Sequence, residues 1–299
     1  MRPGLESSKS VVSSVITGAG LLAFCPRPLA GESFLSWIDV VAECYGIGRQ
    51  QAFHTVGLSW ANHRLSRLSL AMPAQFADQV VVRTGLSPSE LKDLTIARYP
   101  GLDDAVRGGD PLWVQANTSA ACVDCLGENG GRWMLEWKMA FVVACQMHGR
   151  FLVGRCGCGR GLHRSSIHSA SRWRCTGLPR AIITSPEPGG RCTRRVTDLS
   201  APAPRDVELL NTQAAIMALV TATSPTESAT STFADLQWAA RLVAETGTGA
   251  VLDDCADPLV CEVFEQFCRY RAEFRSKDTA RWSRQRSQLL HGYATTGYS

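Results

Sequence analysis

The spacing Cys122-x2-Cys125, nineteen residues, then Cys145-x2-His148 constrains this chain more than any other feature. Two close pairs of thiol and imidazole ligands, separated by a short loop, suit one tetrahedral Zn²⁺ ion gripped from two tight knuckles. All four positions go to protein, so none is left for water or substrate. The expected metal is structural, and the middle of the chain must fold as a small metal-pinned module. That points toward recognition and away from hydrolysis. His148 would bind as neutral imidazole through one ring nitrogen while the other donates to a carbonyl or carboxylate.

A second cluster follows. Cys156-Gly157-Cys158 is a knuckle with one residue between its thiols, and Cys175 and Cys192 lie downstream beside Arg174 and Arg191. Together they could close a second, Cys₄ zinc site, and the adjacent cations would ease thiolate formation. His163 and His168 are rival ligands for one of these positions. The remaining cysteines, Cys25, Cys44, Cys255, Cys261 and Cys268, sit in apolar helical contexts and read as small buried hydrophobes. Seven of the twelve cysteines fall between Cys122 and Cys192 in knuckle-like pairs. This distribution favours thiolate–metal sites in a reducing cytoplasm over disulfides. No apolar span is long enough for a membrane helix, and Val11–Cys25 lacks the basic flank and cleavage site of a signal peptide.

The net charge of +4 hides a segregation. Residues 138–195 carry eleven Lys and Arg against one acid, Glu187, whereas residues 196–254 carry two against eight. The metal-ligand segment therefore presents a concentrated positive field, nearly all of it arginine. Guanidinium forks match phosphate oxygens, so Arg150, Arg155, Arg160, Arg164, Arg172 and Arg174 are the candidate nucleic-acid contacts. The plainer reading is a solvated basic face that keeps the module soluble.

Residues 1–25 read as a flexible tail. Gly31-Glu32-Ser33 then opens a helix whose apolar residues Phe34, Leu35, Ile38, Val41, Ala42 and Tyr45 recur at helical spacing. Gly46-Ile47-Gly48 breaks it. A short helix follows with Ala52, Phe53 and Val56 inward, then a third from about residue 59 to 70 with Trp60, Leu65 and Leu68 inward. This is the outline of a helix-turn-helix, and also of any small helical bundle. Ser87-Pro88-Ser89-Glu90 is a capping box with proline at the first helical position. Residues 122–195 read as short strands and knuckles, with a hairpin expected in Trp133–Val143. Residues 198–206 and 222–232 read as linkers, and 207–220, 234–246 and 258–274 as helices. The last thirty residues alternate arginine with aromatics (Arg269, Tyr270, Arg271, Phe274, Arg281, Trp282), which suits a basic grip or an amphipathic helix with a solvated face. The expected class is mainly α: a helix-turn-helix-like unit over 26–110, zinc-ribbon modules over 111–197 and a helical region with linkers over 198–299. No Walker-type loop, paired acidic motif, His-x-Glu motif or nucleophile turn is present, so no catalytic residues are assigned and no enzyme is expected.

These residues resemble the TniQ family, which includes TnsD, the target-selection proteins of heteromeric DNA transposons. Pro26-Arg27-Pro28-Leu29-Ala30-Gly31-Glu32-Ser33-Phe34-Leu35-Ser36-Trp37 is similar to its "PGES-x-x-SW" signature. Gly85-Leu86-Ser87-Pro88-Ser89-Glu90-Leu91 with Leu94-Thr95 is similar to its "GLS-x-x-E-L…LT" helix. Cys122-Val123-Asp124-Cys125-Leu126, Arg132-Trp133, Trp137 and Cys145-Gln146-Met147-His148-Gly149 resemble its zinc finger. Leu152 and Cys156-Gly157-Cys158-Gly159 resemble its second knuckle with one residue missing. The likeness spans roughly 26–160 and fades beyond it. It implies a helical unit with zinc-ribbon-like modules that recognises a target without catalysis and recruits a TnsC-type AAA+ ATPase, which brings in the transposase. Some members dock on an RNA-guided complex. The partners implied are that ATPase and DNA or a DNA-bound targeting complex, with a homodimer left open and no membrane. The reading from another class is a zinc-ribbon/helix-turn-helix transcription regulator.

Overall fold

The structure, a computed structural model, describes residues 20–58, 65–102, 114–115, 117–139, 141–166, 171–175, 192–204 and 208–222. The chain divides into two compact units, residues 1–98 with 102–203, and residues 99–101 with 204–299.

The first unit is organised around helix α1, Phe34–Cys44. Ser33 caps it, its hydroxyl accepting from the Ser36 amide at 3.4 Å, which satisfies one of the orphan donors of the first turn. The spacing predicts one apolar face, but the structure buries every residue from Phe34 to Ala42, Ser36 and Asp39 included. A helix buried on all sides is central to its domain. Here one side meets the helical unit, where the Phe34 amide donates to Leu94 O at 2.8 Å. The other side meets the metal segment: the Ser33 amide donates to Trp133 O, the Leu135 amide to Gly31 O, and the Trp133 amide to Ser36 Oγ at 2.8 Å.

Helix α2, Arg49–Thr55, follows the glycine turn and buries Ala52, Phe53 and Val56 as expected. Of the third expected helix, α3 spans Leu65–Leu68 with both leucines buried, while residues 59–64, Trp60 among them, lie outside the described residues. Helix α4, Ala74–Thr84, is not evident in the sequence, because only Val80 and Thr84 of its residues are buried and the apolar stripe is thin. Helix α5, Pro88–Asp93, has the expected reciprocal cap: Glu90 N donates to Ser87 Oγ at 3.2 Å and Ser87 N to Glu90 Oε2 at 2.7 Å. The expected tail ends earlier than residue 25. Leu22 is buried and donates its amide to Arg83 O, and Trp37 Nε1 donates to Pro26 O at 2.8 Å.

The metal segment departs from the expected strands and knuckles. It contains a helix, α6, Val123–Glu128. The hairpin expected within Trp133–Val143 lies elsewhere: β1, Ala144–Cys145, pairs antiparallel with β2, Arg150–Phe151, around the Cys145–His148 knuckle. Residues 136–138 form a 3₁₀ turn instead. The physical reason is space-filling beneath α1, where Trp133 and Trp137 are buried and meet edge to face at 6.3 Å. Gly131, at φ +78, is required by a close approach: a Cβ there would sit 2.7 Å from the indole of Trp173.

In the second unit α7, Glu208–Thr221, buries Ile216 and Val220, and a Cβ on Gly101 would lie 2.8 Å from the Val220 Cα. The helices expected over 234–246 and 258–274, the arginine–aromatic alternation of the last thirty residues, and Cys255, Cys261 and Cys268 lie outside the described residues. Among the described residues no helix is long and apolar enough to cross a membrane.

Candidate metal centres

The structure gathers Cys122, Cys125, Cys145 and His148 into one group and Cys156, Cys158, Cys175 and Cys192 into another, with the donor atoms of each group all within 4.8 Å of one another. In the first group Cys122 stands just before α6, Cys125 in its first turn, Cys145 at the end of β1 and His148 in the knuckle turn. His148 Nδ1 lies 3.5 Å from Cys122 Sγ, 3.2 Å from Cys125 Sγ and 3.5 Å from Cys145 Sγ, and the last two sulfurs are 3.5 Å apart. A tetrahedron with metal–sulfur bonds near 2.3 Å has edges of about 3.8 Å, and shorter ones to nitrogen. The donor set therefore fits a single tetrahedral ion. It does not fit a disulfide, whose sulfurs lie about 2.05 Å apart, and all of these cysteines are free.

Burial holds the thiols of Cys122 and Cys125 above their ordinary range. A bound cation is what would draw their protons off near neutral pH. At Cys145 burial also opposes ionisation, but hydrogen bonds from His148 outweigh it and bring the thiol down. The outer nitrogen of His148, Nε2, lies 3.1 Å from Glu128 Oε1. Glu128 is a site residue that spacing could not reveal, since it closes α6 with no ligand pattern of its own.

The second group has Cys156 Sγ 3.7 Å from Cys192 Sγ and Cys158 Sγ 3.6 Å from Cys175 Sγ, again the edges of a tetrahedron. Its two halves meet through an isolated bridge, Arg174 opposite Arg195, with Cys175 N donating to Arg194 O at 2.9 Å and Val196 N to Trp173 O at 2.8 Å. Gly157 is open to one neighbour: a Cβ there would lie 2.5 Å from Arg194 Nη1, so the guanidinium rests on the knuckle.

His163, weighed as a rival ligand, is not in the second group. It is buried, stacks on Trp133 at 4.6 Å and 7°, and places Nε2 3.1 Å from Asp39 Oδ2. His168 lies outside the described residues. Asp39 in turn accepts from Arg49 Nε at 2.5 Å and from its Nη2, while Arg49 Nη1 donates to Arg164 O at 2.8 Å and Ser166 O at 2.7 Å. One guanidinium thus ties α1, α2 and the chain that runs from Cys158 towards Cys175. Burial pushes His163 down to about 4, and burial with the Arg49 charge pushes the enclosed Lys138 down to about 7. Cys25 is half-buried, and burial pushes its thiol up to about 11; Cys44, expected to be buried, is exposed at the end of α1.

The six arginines assigned to phosphate fall into distinct settings. Arg172 is only 11% exposed, paired with Glu43 and donating to Gly130 O at 2.8 Å. Arg150 pairs with Asp124 at 3.3 Å. Arg155 donates to Gly159 O at 3.2 Å and Arg160 accepts the Cys156 amide through its carbonyl. Arg164 and Arg174 are exposed.

Helices joined to two compact groups of cysteine and histidine define a small helical module with two candidate metal centres. Residues 23–152 match the TniQ family model, and this match supports a relation to that family. The match covers α1 to α6 and the whole first cluster and stops before the second. No curated protein matches the chain.

Proposed function

We propose that this protein is a non-catalytic target-selection adaptor of DNA transposition. It recognises target DNA or a DNA-bound complex and recruits a TnsC-type AAA+ ATPase, and through it a transposase. The TniQ match over residues 23–152 carries the reading. Both clusters hold Zn²⁺ in this account, since S₃N and S₄ tetrahedra suit that ion and leave no position for a reacting water. The zinc then acts as a fastener that fixes the arginine-rich surface relative to the helices.

Helices α1 and α2 serve as scaffold. Arg49 of α2 is consumed by Asp39 and two carbonyls, so a groove-reading role for this pair would fall to the exposed Gln50, Gln51 and His54. The test is a pull-down of a TnsC-type ATPase on the immobilised, zinc-loaded chain, with and without DNA. Retention of the ATPase supports the adaptor. Tight binding of one duplex sequence with no ATPase retained contradicts it and favours the transcription regulator.

A further inference from the structure

The bridge that closes the second cluster pairs two like charges. Arg174 and Arg195 stand opposite each other, and the flanking bonds, Cys175 N to Arg194 O and Val196 N to Trp173 O, make them a non-hydrogen-bonded antiparallel pair. In that register the Cα atoms approach to about 4.5 Å and the side chains leave the same face, closer than in the alternative register. Like charges set directly opposite are unfavourable unless an anion lies between or above them.

Neither residue has a carboxylate partner among the described residues. The Arg174 guanidinium donates to the Thr193 carbonyl at 3.0 Å, and both residues are exposed. The intervening Arg194 faces the other way, onto Gly157 of the knuckle. The bridge therefore sorts its arginines: Arg194 lies against the Cys156–Cys158 knuckle, and Arg174 and Arg195 stand opposite each other, exposed. Around them residues 138–195 hold eleven cations and one acid.

We propose that Arg174 and Arg195 form a two-guanidinium grip for neighbouring phosphates of a nucleic-acid backbone, held at fixed spacing by the isolated antiparallel bridge beside the second cysteine cluster. This rests on the nucleic-acid part of the adaptor reading. Paired forks suit a row of phosphates, each of which accepts bidentate contacts. An isolated carboxylate would occupy one fork and leave the repulsion standing. Arg195 was not among the arginines singled out by sequence.

The test is the salt dependence of binding to a short mixed-sequence DNA duplex, between about 50 and 200 mM salt, for the full zinc-loaded chain. Relative to wild type, the double variant R174Q/R195Q should flatten the slope of log affinity against log salt by about 2, and each single variant by about 1. R174K/R195K, which keeps the charge, should retain most of the slope, and R172Q, whose parent side chain is occupied by Glu43, should leave it unchanged. The metal-to-protein ratio of each variant shows that the second cluster is intact, and the single variants carry the test if the double variant folds poorly. A steep wild-type slope left unaltered by R174Q, R195Q and the pair overturns this inference alone. A flat wild-type slope removes the nucleic-acid reading and this inference with it. Unaltered DNA binding with lost ATPase retention also overturns it, assigning the pair to an acidic protein surface.

Discussion

Glu128 Oε1 lies 3.1 Å from His148 Nε2, on the side of the ring opposite the three thiols that surround Nδ1. A carboxylate in that position fixes the tautomer that leaves Nδ1 free to ligate and raises its basicity. Glu128→Ala should weaken metal binding at the first cluster about tenfold, and Glu128→Gln, which keeps an acceptor, by less. Competition with a chromophoric chelator measures both. Equal affinity in all three proteins would show that Glu128 merely decorates the surface.

Asp39 and Arg49 are both buried and satisfy each other. Removing one member of such a pair leaves an uncompensated charge and costs about 3–5 kcal/mol. Asp39→Asn and Arg49→Met should each destabilise the zinc-loaded protein on that scale in urea unfolding. Replacing both residues by apolar ones should cost less than the two single changes together. A loss under about 1 kcal/mol from either single change would contradict the clamp.

Lys138 is enclosed, with Nζ donating to Thr118 O at 3.2 Å, and faces Arg49 and His163. Its pKa of about 7 in the folded chain lies below the unfolded value near 10.5. Between these values the unfolded chain binds more protons, so stability rises with pH from about 7 to about 10. Lys138→Met should remove the share of that rise that Lys138 contributes. His163, at about 4, adds an acid limb that is lost as pH falls from about 6.5, where protonation of the metal ligands acts as well. On the alkaline side the thiols of the unfolded chain also titrate, but they do so equally in wild type and variant, so the difference between the two isolates Lys138. Unfolding curves at fixed zinc from pH 7 to 10 decide the matter, and a slope identical in wild type and variant would contradict it.

Gly131→Ala should destabilise the protein by more than about 1 kcal/mol, because the new Cβ meets both a left-handed backbone and the Trp173 indole. A thermal melt reads the loss, and an unchanged midpoint would show that Trp173 yields freely.

Much of this was legible in the sequence because metal knuckles and helix caps are local. Cys122-x2-Cys125 and Cys145-x2-His148 encode their own geometry, and so does the Ser87–Glu90 box. The wide Cys175–Cys192 separation is no obstacle either, since the chain returns and the four thiols of the second group lie together. What was not legible depends on contacts between distant residues. Nothing near His163 shows that it serves Asp39, 124 positions away, and not a metal. Arg172 resembles its neighbours until Glu43, 129 positions away, takes its guanidinium. The Trp133–Val143 run has strand-like composition, yet its indoles fill the underside of α1, and that displaces the hairpin to Ala144–Phe151. Cys44 fits a helical face in the sequence, but the buried run ends at Ala42, just before it.

The most direct test of the account is zinc stoichiometry combined with X-ray absorption at the zinc edge on the purified chain. The two clusters predict two ions per chain, sharing seven sulfurs and one nitrogen, all at tetrahedral distances and with no oxygen in the coordination shell. An oxygen ligand at either ion, or a metal-free chain with these thiols joined as disulfides, would contradict it.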